Sequence, residues 1–257
     1  LNGLCAENSD RCKLDRDTGF EPPPVPTANT VERVTDTPFL SGPRPVVVAH
    51  RAGNTPQTVG DALDRADMIE FDTHVFRGRI EVRHPKVLWP TARLWEKWYL
   101  LPADTEVASI ESVLDAVPPE VPLLVDLKCF TRRAGRRIRQ AIPDDRRLIV
   151  SCRSWWVLGA FGNRPNTLAL RSCGNRLQMR VVTLVPGLGQ QTGIVAHNRL
   201  LDEESIGTIL ARTPLLFTWA VPTLARGREL VVQGLTGLIV DDLDLDWEDL
   251  RVVRGDS

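Results

Sequence analysis

The stretch P-V-V-V-A-H-R (Pro45–Arg51), followed by a helical pattern over Thr58–Ala66 and a second apolar run M-I-E-F (Met68–Phe71), decides the fold. Val46–Ala49 is too short for a helix and lacks the polar alternation of a half-exposed strand. It therefore reads as a strand buried on both faces. The same unit recurs outward along the chain, with further apolar runs at Leu123–Leu127, Leu148–Ser151, Thr167–Leu170, Gly193–Ala196, Leu215–Trp219 and Gly237–Val240. Helical patterns fall between them at Ser109–Ala116, Thr131–Ala141, Ser154–Phe161, Asn175–Leu184, Asp202–Ala211 and Leu224–Gln233. Ser109 ahead of Glu111 and Ser112, and Asp202 ahead of Ser205, read as helix starts. Apolar strands alternating with helices imply parallel pairing, and eight such units imply an α/β TIM (β/α)₈ barrel.

One run breaks the alternation. R-I-E-V-R (Arg79–Arg83) follows Met68–Val75 so closely that no crossover fits, which makes it an extra β-hairpin strand after strand 2. A three-residue loop, Arg77–Arg79 with Gly78 at positive φ, would place His84 opposite Asp72. A two-residue loop would put His84 opposite Phe71 and turn it away. The three-residue form is the expectation. Residues 1–43 hold Pro22, Pro23, Pro24, Pro26, Pro38 and Pro43 without sustained periodicity, and read as an irregular N-terminal extension to a catalytic barrel over 44–257.

Composition narrows the function. The 257 residues are 42% hydrophobic and 25% charged, which suits one globular α/β domain. A formal net charge of −1 gives no reason to expect a nucleic-acid partner. The basic run Arg132, Arg133, Arg136, Arg137 and Arg139 reads as the solvated face of an amphipathic helix. No apolar run reaches the roughly 18 residues of a transmembrane segment. Residues 1–17 carry four acidic and three basic side chains and no apolar signal core, so the expected location is cytoplasmic. Cys129, Cys152 and Cys173 read as reduced core residues, and Cys5 and Cys12 as a pair that could join. The sequence sets no oligomeric state.

In a barrel the active site collects at the carboxyl ends of the strands. Those ends carry His50 and Arg51, Glu70 and Asp72, Asp126 and Lys128, and Trp219, with His84 returning on the hairpin. Two imidazoles can exchange protons near neutral pH. Three carboxylates can hold a hard cation, and Arg51 and Lys128 can bind phosphate. Glu70 and Asp72 are two apart on one strand, so they share a face, as do Asp126 and Lys128. On these residues alone the set reads equally as a metal site and as an ion-pair network of the acids with Arg51 and Lys128.

The segment V-V-V-A-H-R-A-G-N-T-P-Q-T (Val46–Thr58), then E-F-D-T-H (Glu70–His74) and E-V-R-H (Glu81–His84), resembles the glycerophosphodiester phosphodiesterase family. S-I-E-S-V-L (Ser109–Leu114), D-L-K (Asp126–Lys128), F-T-W-A-V (Phe217–Val221) and G-L-T-G-L-I-V-D-D (Gly234–Asp242) extend the likeness in order over about residues 45–245. The resemblance implies a barrel of the PLC-like phosphodiesterase type, acting on a small-molecule glycerophosphodiester. It implies His50 and His84 as the acid–base pair and Glu70, Asp72 and Asp126 as ligands to one divalent cation, Mg²⁺ or Ca²⁺. Arg51, Lys128 and Trp219 would bind substrate, and the products would be glycerol 3-phosphate and an alcohol. Four departures stand out: Gln57 in place of a glutamate, Ala52-Gly53 after Arg51, Pro85 in place of the aspartate that follows the second histidine, and Asp126 in place of a longer glutamate. Two other readings stay open, a lysophospholipid-cleaving phospholipase D on the same site and a non-catalytic barrel that binds a phosphorylated ligand.

Of the other polar and aromatic residues, His74 reads as a hydrogen-bonded histidine at the mouth, and His197 as a mouth residue able to touch substrate. At least one of Trp155 and Trp156 reads as core or rim packing. The link Pro85–Glu106, with Trp89, Trp95 and Trp98 and no clear strand or helix period, reads either as a lid or specificity wall or as packing on the barrel flank. Gly187–Gln190 reads as a turn, and Asp241, Asp242, Asp244 and Asp246 as solvated carboxylates.

Overall fold

The structure is a computed structural model and describes residues 40, 45–88, 93–96, 99–102, 105–184 and 192–250. The expected irregular extension over residues 1–43, with Cys5 and Cys12, lies outside the described residues except for Leu40. Trp89, Trp98 and the Gly187–Gln190 turn lie outside them too.

Eight parallel strands close a ring. They are β1 (Val46–Ala49), β2 (Met68–Phe76), β8 (Leu123–Leu127), β9 (Leu148–Cys152), β10 (Thr167–Cys173), β11 (Thr192–His197), β12 (Leu216–Trp219) and β13 (Gly237–Val240). Each pairs with the next around the ring, and β1 pairs with both β2 and β13 to complete it. The TIM-barrel expectation therefore holds. Between the strands run helices α1 (Pro56–Leu63), α2 (Ile110–Ala116), α3 (Arg132–Ala141), α4 (Arg176–Leu184), α5 (Glu203–Leu210) and α6 (Leu224–Val232). Ser109 caps α2 by accepting from Ser112 N, and Asp202 with Ser205 forms a reciprocal capping box on α5. The segment after β9 winds as a 3₁₀ turn, Trp155–Ala160, rather than the expected α-helix.

Strand alternation sorts the side chains. Val46, Val48, Met68, Leu124, Ile149, Leu168, Val195, Phe217 and Ile239 fill the barrel interior together with Leu40, while Ile69, Phe71, Val125 and Val150 pack outward against the helices. The interior is tight at Gly237, where a Cβ would lie 2.3 Å from the Phe217 ring. Gly237→Ala is therefore expected to cost about 1–3 kcal/mol through overpacking, read as a lowered midpoint in denaturant titration.

Three further features lie outside the ring. Strand β3 (Arg79–Val82) pairs antiparallel with β2, and β7 (Ala108–Ser109) pairs with β3. The stretch expected to be irregular instead folds into a three-stranded antiparallel sheet, β4 (Lys86–Leu88), β5 (Arg93–Glu96) and β6 (Tyr99–Leu101). Its strands are only three or four residues long, too short to show a period in the sequence.

The hairpin register corrects the expectation. Phe76 pairs with Arg79 and Val75 with Ile80, so the loop has two residues, Arg77 and Gly78, with φ of 46° and 80°. Two positive φ values make the primed turn that matches strand twist. Gly78 accepts its φ without strain, and the Arg77 guanidinium lies 5.2 Å from the Phe76 ring centroid. Arg83, not His84, then faces Asp72, with Arg83 N donating to Asp72 O at 3.1 Å. This register does not turn His84 away, because pairing stops at Val82 and the chain bends before residue 84.

Candidate active site

Strand ends place the polar residues. Glu70 and Asp72 point inward from β2, and Asp126 from β8, where it is the direct parallel partner of Asp72. One carboxylate oxygen of each of the three lies within 4.8 Å of the others. Glu70 and Asp72 are buried, at 3% and 1% exposure, so their charges must be met inside the protein.

Several groups meet them. After β1 the chain turns sharply through Arg51, at φ 58°, and Arg51 N donates to Glu70 Oε2 at 2.6 Å. The next turn, Ala52–Asn54, packs on β2 so closely that a Cβ on Gly53 would lie 2.9 Å from Phe71 Cβ. Asn54 in that turn donates from Nδ2 to Asp72 Oδ2 and accepts from Asp72 N, both at 2.8 Å. The turn that contains Ala52-Gly53 thus carries an asparagine that fixes the buried aspartate. Ser151 Oγ donates to Asp126 Oδ1 at 2.9 Å. Lys128 Nζ lies 2.8 Å from Asp72 Oδ1 and also pairs with Asp126, while Arg51 Nε stands 3.8 Å from Asp72.

The balance of charge is uneven. Burial works against ionised Asp72, but Lys128 and Asn54 outweigh it and hold that carboxyl below the usual aspartate range. Burial also disfavours the Lys128 ammonium, and Asp126 and Asp72 overcome this and raise its pKa. Glu70 goes the other way: burial first, then Asp72 and Asp126, push it well above the usual glutamate range. One lysine therefore does not satisfy three acids. A hard divalent cation fits this surplus, since it accepts clustered carboxylate oxygens and favours their ionised form.

The two histidines line the same cavity of about 110 Å³ as Glu70, Asp126, Arg51, Lys128 and Trp219. His50 donates from Nδ1 to Asp241 Oδ1 at 2.5 Å, and His84 from Nδ1 to Glu96 Oε2 at 2.6 Å. With each Nδ1 so engaged, each Nε2 is the nitrogen left for proton exchange. Burial lowers the His84 pKa more than Glu96 and Asp72 raise it, which favours the neutral imidazole. Every residue expected at the site except Asp72 lines the cavity, and Asp72 lies beneath it in the acid cluster.

No protein-family model and no curated protein matches the chain. Solved structures do. A glycerophosphodiester phosphodiesterase from Thermotoga maritima superposes with a TM-score of 0.58 at 14% identity, covering 78% of this chain and 96% of that one. One from Parabacteroides distasonis gives 0.60 at 15%, covering 82% and 99%. This chain shares the barrel fold of the glycerophosphodiester phosphodiesterases. A phosphodiesterase from Oleispira antarctica, solved with its product sn-glycerol-3-phosphate, gives 0.58 at 17%, covering 77% and 93%.

Within this phosphodiesterase-type barrel, several expectations need correction. Asp241 is not merely a solvated carboxylate after β13, because it holds His50. Pro85 leaves no aspartate beside His84, yet Glu96 supplies the carboxylate from the small sheet. Gln57 is exposed on α1 and does not line the cavity. His74 is not hydrogen-bonded through its outer nitrogen: Nε2 is buried without a partner, and burial with Arg83 drives its pKa down to about 3. His197 packs against Trp219 at 5.7 Å between ring centroids and accepts from Arg199 N. Trp155 donates to Ser172 O and Trp156 to Phe130 O, which is rim packing as expected. Trp95 is exposed and takes no part in lining the cavity. Cys129, Cys152 and Cys173 are buried free thiols, and no helix among the described residues is long and apolar enough to cross a membrane.

Proposed function

We propose that the barrel, over residues 44–257, hydrolyses small glycerophosphodiesters with His50 and His84 as the proton-transfer pair. The observation that carries this reading is that two imidazoles, each tethered through Nδ1, open onto one cavity floored by a three-carboxylate cluster. Glu70, Asp72 and Asp126 would hold one divalent cation, Mg²⁺ or Ca²⁺. Bound there, it supplies neutralisation of charge gathering on the phosphate's non-bridging oxygens. Arg51 and Lys128 hold the phosphate in place, and Trp219 forms an apolar wall beside it.

One histidine Nε2 takes the proton of the substrate's neighbouring glycerol hydroxyl, whose oxygen attacks phosphorus. The other gives its proton to the departing alcohol oxygen. Water then opens the cyclic phosphate with the two roles reversed, leaving glycerol 3-phosphate. The structural neighbour that holds sn-glycerol-3-phosphate supports this choice of product.

The expected result is chelator-sensitive release of glycerol 3-phosphate from a panel of glycerophosphodiesters, restored by Mg²⁺ or Ca²⁺ added back singly. Release of choline from lysophosphatidylcholine but not from glycerophosphocholine would move the assignment to a lysophospholipid. No release from any of them would refute it.

A further inference from the structure

We infer that Glu96, carried by the small three-stranded sheet, is the positioning residue of His84, which makes that sheet part of the catalytic apparatus. The inference rests on the proposed reaction, but its geometry stands alone.

Glu96 Oε2 accepts from His84 Nδ1 at 2.6 Å, and the Glu96 side chain is only 10% exposed. Strand β5 alternates, with Arg93 and Trp95 outward and Leu94 and Glu96 buried. A buried carboxylate on a three-to-four-residue sheet is costly unless it is used, and here its partner is an imidazole at the cavity. The register explains how it arrives. Lys86 pairs with Trp95, so one step back along the ladder Glu96 falls beside Pro85. The carboxylate missing from position 85 is thus supplied from across the strand pair.

His84 is fixed on its other side by backbone. Buried Arg83 binds Glu81 through Nε at 2.7 Å and reaches Pro85 O through Nη1, strapping the bend in which residue 84 sits. Arg83 sets the main chain, and Glu96 sets the ring. Fixing Nδ1–H on a carboxylate leaves Nε2 as the free nitrogen and stabilises the imidazolium formed during proton transfer.

The test is Glu96→Gln, close in size to the native residue, with Glu96→Ala beside it, both in full-length protein. Removing an orienting partner of a histidine typically costs about 10–100-fold. The expectation is a fall of that order in kcat with KM within about twofold, larger for alanine than for glutamine. A kcat within twofold of wild type in both variants would overturn the inference, and so would an equal change in kcat and KM. Imidazole nitrogen NMR gives a second readout that needs no turnover. His84 should be the Nδ1–H tautomer in wild type and lose that assignment in Glu96→Ala. If the wild-type protein hydrolyses no glycerophosphodiester, the reaction falls while this spectrum still decides the role of Glu96. An unchanged His84 spectrum in Glu96→Ala would remove that role whatever the reaction proves to be.

Discussion

His50→Ala and His84→Ala are each expected to lower kcat for glycerophosphodiester hydrolysis by at least about a hundredfold, the lower end of what acid–base catalysis supplies. The two rings line one cavity and are held by separate carboxylates, Asp241 and Glu96, so neither can take over the other's position. Each variant removes one of the two proposed proton transfers and leaves Glu70, Asp72, Asp126, Arg51 and Lys128 in place. KM should therefore change far less than kcat. His74→Gln is the contrast: this ring is driven to a pKa of about 3, stays neutral and does not line the cavity, so its loss should cost far less turnover. Measured rates of glycerol 3-phosphate release decide it. Near-wild-type turnover in both His50 and His84 variants would remove the acid–base assignment.

The second large effect is on stability. Glu70 is held above the usual glutamate range by burial and by Asp72 and Asp126. A carboxyl raised in the fold contributes fully below its unfolded pKa, and that contribution is lost as pH climbs through the folded value. Without added cation, stability should therefore fall as pH rises above the ordinary glutamate range, while Asp72, held low, stays ionised there. A divalent cation reverses the sign by favouring ionised Glu70. At a concentration about a hundredfold above Kd it should add about 2.7 kcal/mol, or about 5–10 °C in Tm for a chain of this size. The increment should be larger at pH 7 than at pH 5 and much reduced in Glu70→Gln. Thermal melts with Mg²⁺ or Ca²⁺ that match those in chelator at both pH values would count against a cation site.

Much of this was legible in the residues. Strands buried on both faces must be apolar along their length, so the runs around Val47, Val125, Val150 and Leu238 mark ring strands directly. The inward spacing of Glu70 with Asp72 follows from the two-residue strand period. What stayed hidden depends on contacts between distant segments. Glu96 sits on a strand too short to show a pattern, and its purpose appears only when β5 pairs with β4 beside His84. Asp241 follows the last ring strand among several acids, and nothing local marks it from Asp242 or Asp244. The hairpin loop is one residue shorter than the sequence suggests, because it holds an arginine at φ 46°, a conformation disfavoured for that residue type. Twist matching across the strand pair prevailed over the cost at Arg77.

The ring closes between its first and last strands, with Val46 beside Gly237, and the His50–Asp241 bond spans 191 positions of chain. The bond that orients one of the two proposed proton-transfer imidazoles is thus a junction between the beginning and the end of the winding. During synthesis that junction cannot form until β13 has left the ribosome, however much of the preceding barrel has collapsed. A nascent chain stopped before residue 237 lacks the seam, and so holds a histidine with no fixed orientation. On the proposed assignment, a partly wound chain lacks one of the two oriented imidazoles until the circle closes.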